Sequence, residues 1–504
     1  MSRLTQGWLL ALLTLASPAP LFSQCPDGSA PPCRSTHIAS PTPNSVAVLF
    51  FDNLTPDTAD AYLADGLTEE ITSRLGDLPR IQIKRPSRSA TRRLRDSVPD
   101  YLVALGHILR VRYLVEGSVR RLGSRVRVTA RLLGAADGFR VWSADYDRSA
   151  SNLLELQEEI AREVATGIAG RLTPREQDVI RARPTRSPAA YEHFLRGNHF
   201  LASRTAASTA LAMEEYRAAL RNDPGFTRAL GRIAEAYALF SYYGWEYPGV
   251  PAESLIPRGL AAATEALRLD STVSDAWLGL GVIRMLQYPR TLAGVIPAYE
   301  RAIALDPTNA EALQQYGGIL QLLGRDSAAD AVLHRALAVE PQRAITWLAL
   351  SNVAWVERRY AESQHWADSA VTIDPALAGA YNNRGWSKFM LGDTAGARRD
   401  AETTLRLDST FDVAAAILVH LDAAWHDTAS ARARIGRIRA GLPSPDSGSF
   451  GLAIALLAVG DTAGALDWLE RQPRDQDLWD TLRSFVLLQP SPRVERLMRE
   501  SQPP

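Results

Sequence analysis

The sequence predicts two architectures in series: an α/β sandwich of order β-α-β-α-β-β-β-α, then an all-α solenoid of helical hairpins. Three observations carry this. At 504 residues the chain is too long for one hydrophobic core. Strand-like and helix-like patterns alternate over residues 45–172, the signature of helices packed on one sheet. Farther on, helix endings recur at a fixed interval: Asp306-Pro307, Glu340-Pro341, Asp374-Pro375 and Asp408-Ser409 lie 34 residues apart. That period means stacked helical hairpins.

Residues 1–23 read as an export signal. Arg3 gives a positive start, Trp8–Ala16 is a short apolar run, and Pro18 and Pro20 break it before a cleavage point after Ser23. The run falls well short of the roughly 20 apolar residues a spanning helix needs. No other stretch reads as transmembrane. The expected location is therefore outside the cytoplasm, periplasmic first, with secretion or a lipid anchor on Cys25 as variants. Residues 24–44, rich in Pro, Ser and Thr, read as a flexible tether. The tether holds the only two cysteines, Cys25 and Cys33. In an oxidising compartment they are expected to close a small disulfide loop, with Pro26-Asp27-Gly28 as its turn. The competing readings, a redox pair or a metal site, lack CxxC spacing and nearby ligands.

Within 45–172, Val46–Phe51 is a continuous apolar run, as in a strand buried on both faces. Thr58–Leu78 has helical spacing, with Tyr62, Leu63, Leu67, Ile71 and Leu75 on one stripe. Ile81–Ile83 is a short strand and Val98–Leu109 a second helix. Tyr113–Arg120, Arg125–Leu132 and Phe139–Tyr146 read as three strands, joined at Leu122–Ser124 and Gly134–Gly138. Ser151–Arg171 closes the unit as a helix with Leu154, Ile160, Val164 and Ile168 inward.

Several runs in this segment, in order, carry a resemblance: Ser45–Leu54, Tyr62–Leu75, Val111–Leu133 and Val141–Arg148, followed by LLELQEEIAREVA. The segment resembles the TolB amino-terminal-like (FlgO-like) domain, a bacterial module found beside kinases, adenylate cyclases and helical repeats. The resemblance implies a non-enzymatic accessory module. It departs at Phe51, where the family usually carries proline.

The array over 188–440 resembles tetratricopeptide repeats. Leu313, Gly317, Gly324, Ala329, Ala336 and Pro341 sit at the expected intervals, then Trp347, Ser351, Ala354, Ala370 and Pro375, then Tyr381, Gly385, Gly392, Ala397 and Ser409. Small residues suit the close approach of two antiparallel helices, where overpacking costs about 1–3 kcal/mol. Proline cannot continue a helix and so ends each hairpin. Residues 441–504 read as a degenerate repeat, Phe450–Glu470, and a C-terminal capping helix within Trp479–Arg499, as a solenoid end requires.

The repeat resemblance implies a concave inner wall lined by the first helix of each hairpin. Its positions map to Gln314 and Gln321, Asn352 and Trp355, and Asn383, Trp386 and Phe389. Amides can bond an extended peptide backbone and aromatic rings can hold its side chains. The related carboxylate-clamp positions carry Leu348, Val413 and Ile417. The expected ligand is therefore an internal peptide segment, not a free carboxyl terminus.

Chemistry finds little purchase. Net charge is zero, and only Lys84 and Lys388 are lysines, so Schiff-base candidates are few and nothing steers the whole chain to nucleic acid. Glu69-Glu70 and Glu158-Glu159 are adjacent on helices and point about 100° apart, too divergent to flank one bond. No Walker loop, GxSxG or HExxH occurs. The expectation is no catalytic residue, no cofactor and no metal site. Between Arg80 and Arg131 there are 14 basic and three acidic residues. Arg85, Arg88, Arg92, Arg93, Arg120 and Arg121 could form an anion-binding face, which gives the alternative reading of a sensor module; solvated strand edges explain the same arginines. The leading expectation is a non-enzymatic exported scaffold, with the α/β module docked to a cell-envelope component and the groove holding a protein partner.

Overall fold

The computed structural model describes residues 41–55, 60–287, 294–441, 450–472, 482 and 490–501. The export segment, the Cys25–Cys33 pair and most of the tether lie outside the described residues.

The α/β layer comprises β1 (Ser45–Val48), β2 (Asp52–Asn53), α1 (Ala61–Gly76), β3 (Gln82–Lys84), α2 (Arg88–Ser97), α3 (Tyr101–Leu109), β4 (Tyr113–Leu122), β5 (Arg125–Gly134), β6 (Arg140–Ser149), α4 (Leu153–Ala169) and α5 (Pro174–Arg181). The sheet order is β3-β1-β4-β5-β6, and β2 also pairs with β4. β3, β1 and β4 are parallel, because helices cross over between them; β4, β5 and β6 run antiparallel through tight turns. Along β5 the alternation is clean: Val126, Val128, Ala130 and Leu132 are buried while Arg125, Arg127 and Arg131 are exposed. α1 and α4 pack on the buried face. α3 covers the other face near β1, through Leu105 and Leu109 against Ala47, Leu49 and Leu114.

Two helices were not foreseen. α2 carries four arginines and buries only Thr91, so it offers no apolar stripe to read. α5 starts at a Thr173/Glu176 capping box with Pro174 in its first turn, a signal present in the sequence.

The predicted all-α half is a run of helix pairs: α6 (Pro188–Leu201) with α7 (Ala206–Asn222), α8 (Thr227–Tyr242) with α9 (Leu255–Leu269), α10 (Ser274–Met285) with α11 (Val295–Leu305), α12 (Ala310–Leu322) with α13 (Asp326–Val339), α14 (Ala344–Val356) with α15 (Tyr360–Ile373), α16 (Ala378–Met390) with α17 (Thr394–Leu407), α18 (Asp412–Ala424) with α19 (Thr428–Ala440) and α20 (Phe450–Ala458) with α21 (Thr462–Glu470). A final helix, α22 (Pro492–Ser501), lies on α21; Leu497 is buried and Arg493 bonds Asp467 and Glu470. Close helix approach explains Gly317: a Cβ there would sit 2.6 Å from the Leu333 side chain. The turn inside successive hairpins takes a left-handed residue at Gly324, Arg358, Gly392, His426 and Gly460, each 34 positions after the last. The period therefore continues past Pro443, where the sequence pattern fades.

The α/β layer and the first helix pairs share one hydrophobic core, while later hairpins pack in clusters of their own. Val46, Leu63, Leu67, Val128 and Ile160 belong to the same buried cluster as Tyr191, Phe194, Tyr216, Phe226 and Phe240. At Gly66 a Cβ would lie 2.7 Å from Leu195, so α1 and α6 approach closely. Tyr62 donates to Glu192 across 2.6 Å. A chain of alternating charges then runs from α1 into the repeats: Arg74 to Glu70 at 3.1 Å, Arg228 to Glu70 at 3.2 Å and to Asp275 at 3.0 Å, and Arg232 to Glu235 at 2.8 Å. Each buried charge meets its opposite, which burial of ions requires.

The α/β layer also follows the repeat period along one edge of the array. The Gly76 position faces Thr308, and the Ser87 N–H bonds the Gln342 side chain, 34 residues farther on. The Arg85 N–H bonds the Val339 carbonyl at 2.7 Å, and the Arg93 guanidinium bonds the Ile373 carbonyl, again 34 residues on. Lys84 adds a bond to the Ala338 carbonyl. These carbonyls end α13 and α15, where the helix dipole is negative and a cation is favoured.

Candidate partner-binding groove

The first helices of the later hairpins, α12, α14, α16 and α18, bring the expected wall residues into register. Residues 34 apart occupy the same place in successive hairpins. One such row is Gly318, Asn352, Trp386 and His420; a second is Gln321, Trp355, Phe389 and Ala423. The first row explains why His420 belongs to the wall. The sequence reading omitted it, although the 34-residue interval from Trp386 points to it.

Asn352 is exposed and Asn383 half-buried, and the Asn383 amide donates to the Asn352 side-chain oxygen across 2.5 Å. Asn383 also lies 3.4 Å from the Ser351 hydroxyl. Gln314, Gln321, Trp355 and Phe389 are half-buried. Trp386 differs from the expectation of an open wall residue, being only 5 % exposed. Its indole is edge-on to Trp355 at 6.2 Å, to Phe389 at 5.7 Å and to His420 at 5.8 Å. The neighbouring rings close over it because α14, α16 and α18 each contribute one, so Trp386 is the floor of the wall.

Electrostatics on this wall are muted. Burial pushes the His420 imidazole down to about 4, against a hydrogen bond to the Ile454 backbone that raises it. The ring is therefore neutral at pH 7. Asp400 is buried but held by Arg384 at 2.6 Å and Lys388 at 2.8 Å. Both lysines of the chain thus serve packing contacts, Lys388 here and Lys84 on α13.

Elsewhere the arginines singled out in the sequence meet partners within the chain. Arg85 pairs with Glu69 at 2.9 Å, Arg88 with Asp65, Arg93 with the end of α15, and Arg121 with Asp60, Tyr62 and Glu192. Arg92 and Arg120 are exposed. The adjacent carboxylates diverge as expected: Glu69 meets Arg85 while Glu70 meets Arg74 and Arg228, and Glu158 meets Arg162 while Glu159 meets Arg148. His193 bonds Glu215 and His199 bonds Asp65. Among the described residues no group of side chains is arranged to hold a metal ion, and no helix is long and apolar enough to cross a membrane.

Comparison with known proteins adds to this. Residues 298–331 match the family model of the tetratricopeptide repeat. The putative adenylate cyclase 3 of Rhizobium meliloti (strain 1021) is 30% identical over 232 residues, covering 46% of this chain and 38% of that protein. Protein FlbA of Caulobacter vibrioides is 30% identical over 100 residues, covering 20% of this chain and 17% of that one. The chain thus spans well under half the length of either relative. A tetratricopeptide repeat protein from Parabacteroides merdae, of known structure, is 15% identical, with a TM-score of 0.38, covering 53% of this chain and 99% of that one. The chain is a small mixed-sheet layer followed by many helices, and its helical hairpins include a tetratricopeptide repeat.

Proposed function

We propose that this chain is a non-enzymatic scaffold whose repeat groove holds an internal, extended segment of a protein partner. The observation that supports this most directly is the wall of α14 and α16. It sets the Asn352–Asn383 amide pair beside the Trp355, Trp386 and Phe389 rings. Amides serve a peptide backbone and rings serve its side chains, and no charged cluster on that wall selects a free carboxylate. The apolar Leu348, Val413 and Ile417 support the same preference. Arg3 and the apolar run Trp8–Ala16 support export to the cell envelope, where the partner would reside. The internal pairing of Arg85, Arg88, Arg93 and Arg121 favours the scaffold over an anion sensor, because those guanidiniums are already matched.

The test is photo-crosslinking from position 352 in living cells, followed by identification of the crosslinked peptides. Internal partner segments, lost on combined Asn352→Ala and Asn383→Ala substitution, are the expected result. Crosslinks unchanged by those substitutions would sink the groove assignment. Fusion of residues 1–44 to a reporter active only outside the cytoplasm tests export; an inactive reporter counts against it.

A further inference from the structure

Three buried polar atoms on α16 and α18 have no hydrogen-bond partner among the described residues: Asn382 Oδ1, Trp386 Nε1 and His420 Nε2. Asn382 and Trp386 are one helical turn apart on the same face, at 7 % and 5 % exposure. Trp386 and His420 rings lie 5.8 Å apart. Unmatched buried groups of this kind cost free energy that a ligand can recover.

Their hydrogen-bonding types are specific. Trp386 Nε1 is a donor only, and Asn382 Oδ1 is an acceptor only. Burial keeps the His420 ring neutral, and Nε2 of a neutral ring accepts when the proton sits on Nδ1. In that tautomer the site offers one donor and two acceptors.

We infer that Asn382, Trp386 and His420 form a subsite for a primary carboxamide, the side chain of a glutamine or asparagine in the bound segment. Its NH2 supplies two donors, for Asn382 and His420, and its oxygen accepts from Trp386. A carboxylate brings no donor, an ammonium brings no acceptor, and a backbone amide brings one donor too few. Half-buried Trp355 and Phe389 provide the apolar rim. The inference rests on the groove reading above, and it narrows the partner to a segment that presents Gln or Asn.

The probe is a surface-displayed library of random dodecapeptides, selected against the full chain. Binders are expected to converge on Gln or Asn at one position. Replacing that residue by methionine in the best peptide should weaken binding to the unaltered chain about tenfold, the scale of lost buried hydrogen bonds. The same replacement should change nothing against Trp386→Phe or His420→Phe, which keep an aromatic ring; thermal melts establish that each variant is folded. Binders sensitive to Asn352→Ala but indifferent to a carboxamide overturn the subsite and leave the groove standing. Convergence on acidic or basic residues overturns it equally. A library yielding no binders, or only binders indifferent to Asn352→Ala, removes groove and subsite together.

Discussion

The side-chain amide of Asn383 on α16 donates to the side-chain oxygen of Asn352 on α14 across 2.5 Å. The bond joins neighbouring hairpins on the groove wall, where Asn383 also meets Ser351 and Asn382 while Asn352 stays exposed. Breaking it from either side should have nearly the same consequence. Asn352→Ala and Asn383→Ala are each expected to weaken binding of a library-selected peptide by about 1 kcal/mol. The double variant should lose less than the sum, because each single change already destroys the shared bond. Fluorescence anisotropy measures all three; strict additivity would show that the amides act independently.

Arg358 and His426 hold left-handed backbone, with φ of 60° and 59°, at the turn where Gly324, Gly392 and Gly460 stand in other hairpins. A side chain in that conformation costs roughly 1 kcal/mol. Arg358→Gly and His426→Gly should therefore each stabilise the protein by up to about 1 kcal/mol, less the entropy glycine adds to the unfolded chain. Gly392→Ala should destabilise it on a similar scale. Urea denaturation of the three variants is the check, and a loss of stability in both glycine variants would contradict the strain.

The depressed pKa of His420 links stability to pH. The folded imidazole titrates at about 4, below its ordinary 6.5, so the unfolded chain takes up a proton first. The contribution is complete above pH 6.5 and is lost as pH falls toward 4. Thermal melts of the native protein should decline over that window more steeply than those of His420→Phe. Parallel curves would mean that the ring titrates normally in the folded state.

Arg228 bridges Glu70 of α1 and Asp275 of α10. Arg228→Met takes one cation from each of two largely buried carboxylates, which keep Arg74 and Arg232, a change worth about 1.5–3 kcal/mol. A further expectation is that the α/β layer and the first hairpins unfold together in the native protein, since they share a core. Hydrogen exchange of α1 and α6 should show equal protection, and Arg228→Met should lower both. Loss of protection in one alone would show that they are independent units.

Much of this architecture was legible in the sequence, for physical reasons. The stripe of Leu63, Leu67, Ile71 and Leu75 marked α1, the alternation along Arg125–Leu132 marked β5, and the 34-residue interval marked the hairpins. α2 was not legible, because its arginines follow no apolar period. The packing of α/β layer on array was not legible either. It depends on contacts such as Lys84 with Ala338, 254 residues apart, which no local pattern encodes. On the groove wall, Asn352, Asn383 and Trp355 could be placed by register, whereas the burial of Trp386 depends on rings from three different helices.

The shared core gives the hairpin array a fixed foot and a free tip. Near the foot, α6 and α8 are clamped by α1 through Gly66, Tyr62 and Glu70, and removing the clamp would uncover Tyr191, Phe194 and Leu195. Toward the tip, each helix pair leans chiefly on its immediate neighbours. Shortening the chain from its end should then shed hairpins one after another, while loss of residues 45–172 should bring down the base. The amide and aromatic wall straddles the limit of this anchorage: α14 lies between the Gln342 and Ile373 contacts with the α/β layer, whereas α16 and α18 follow farther out, so a guest on the wall would bridge an anchored hairpin and its outer neighbours.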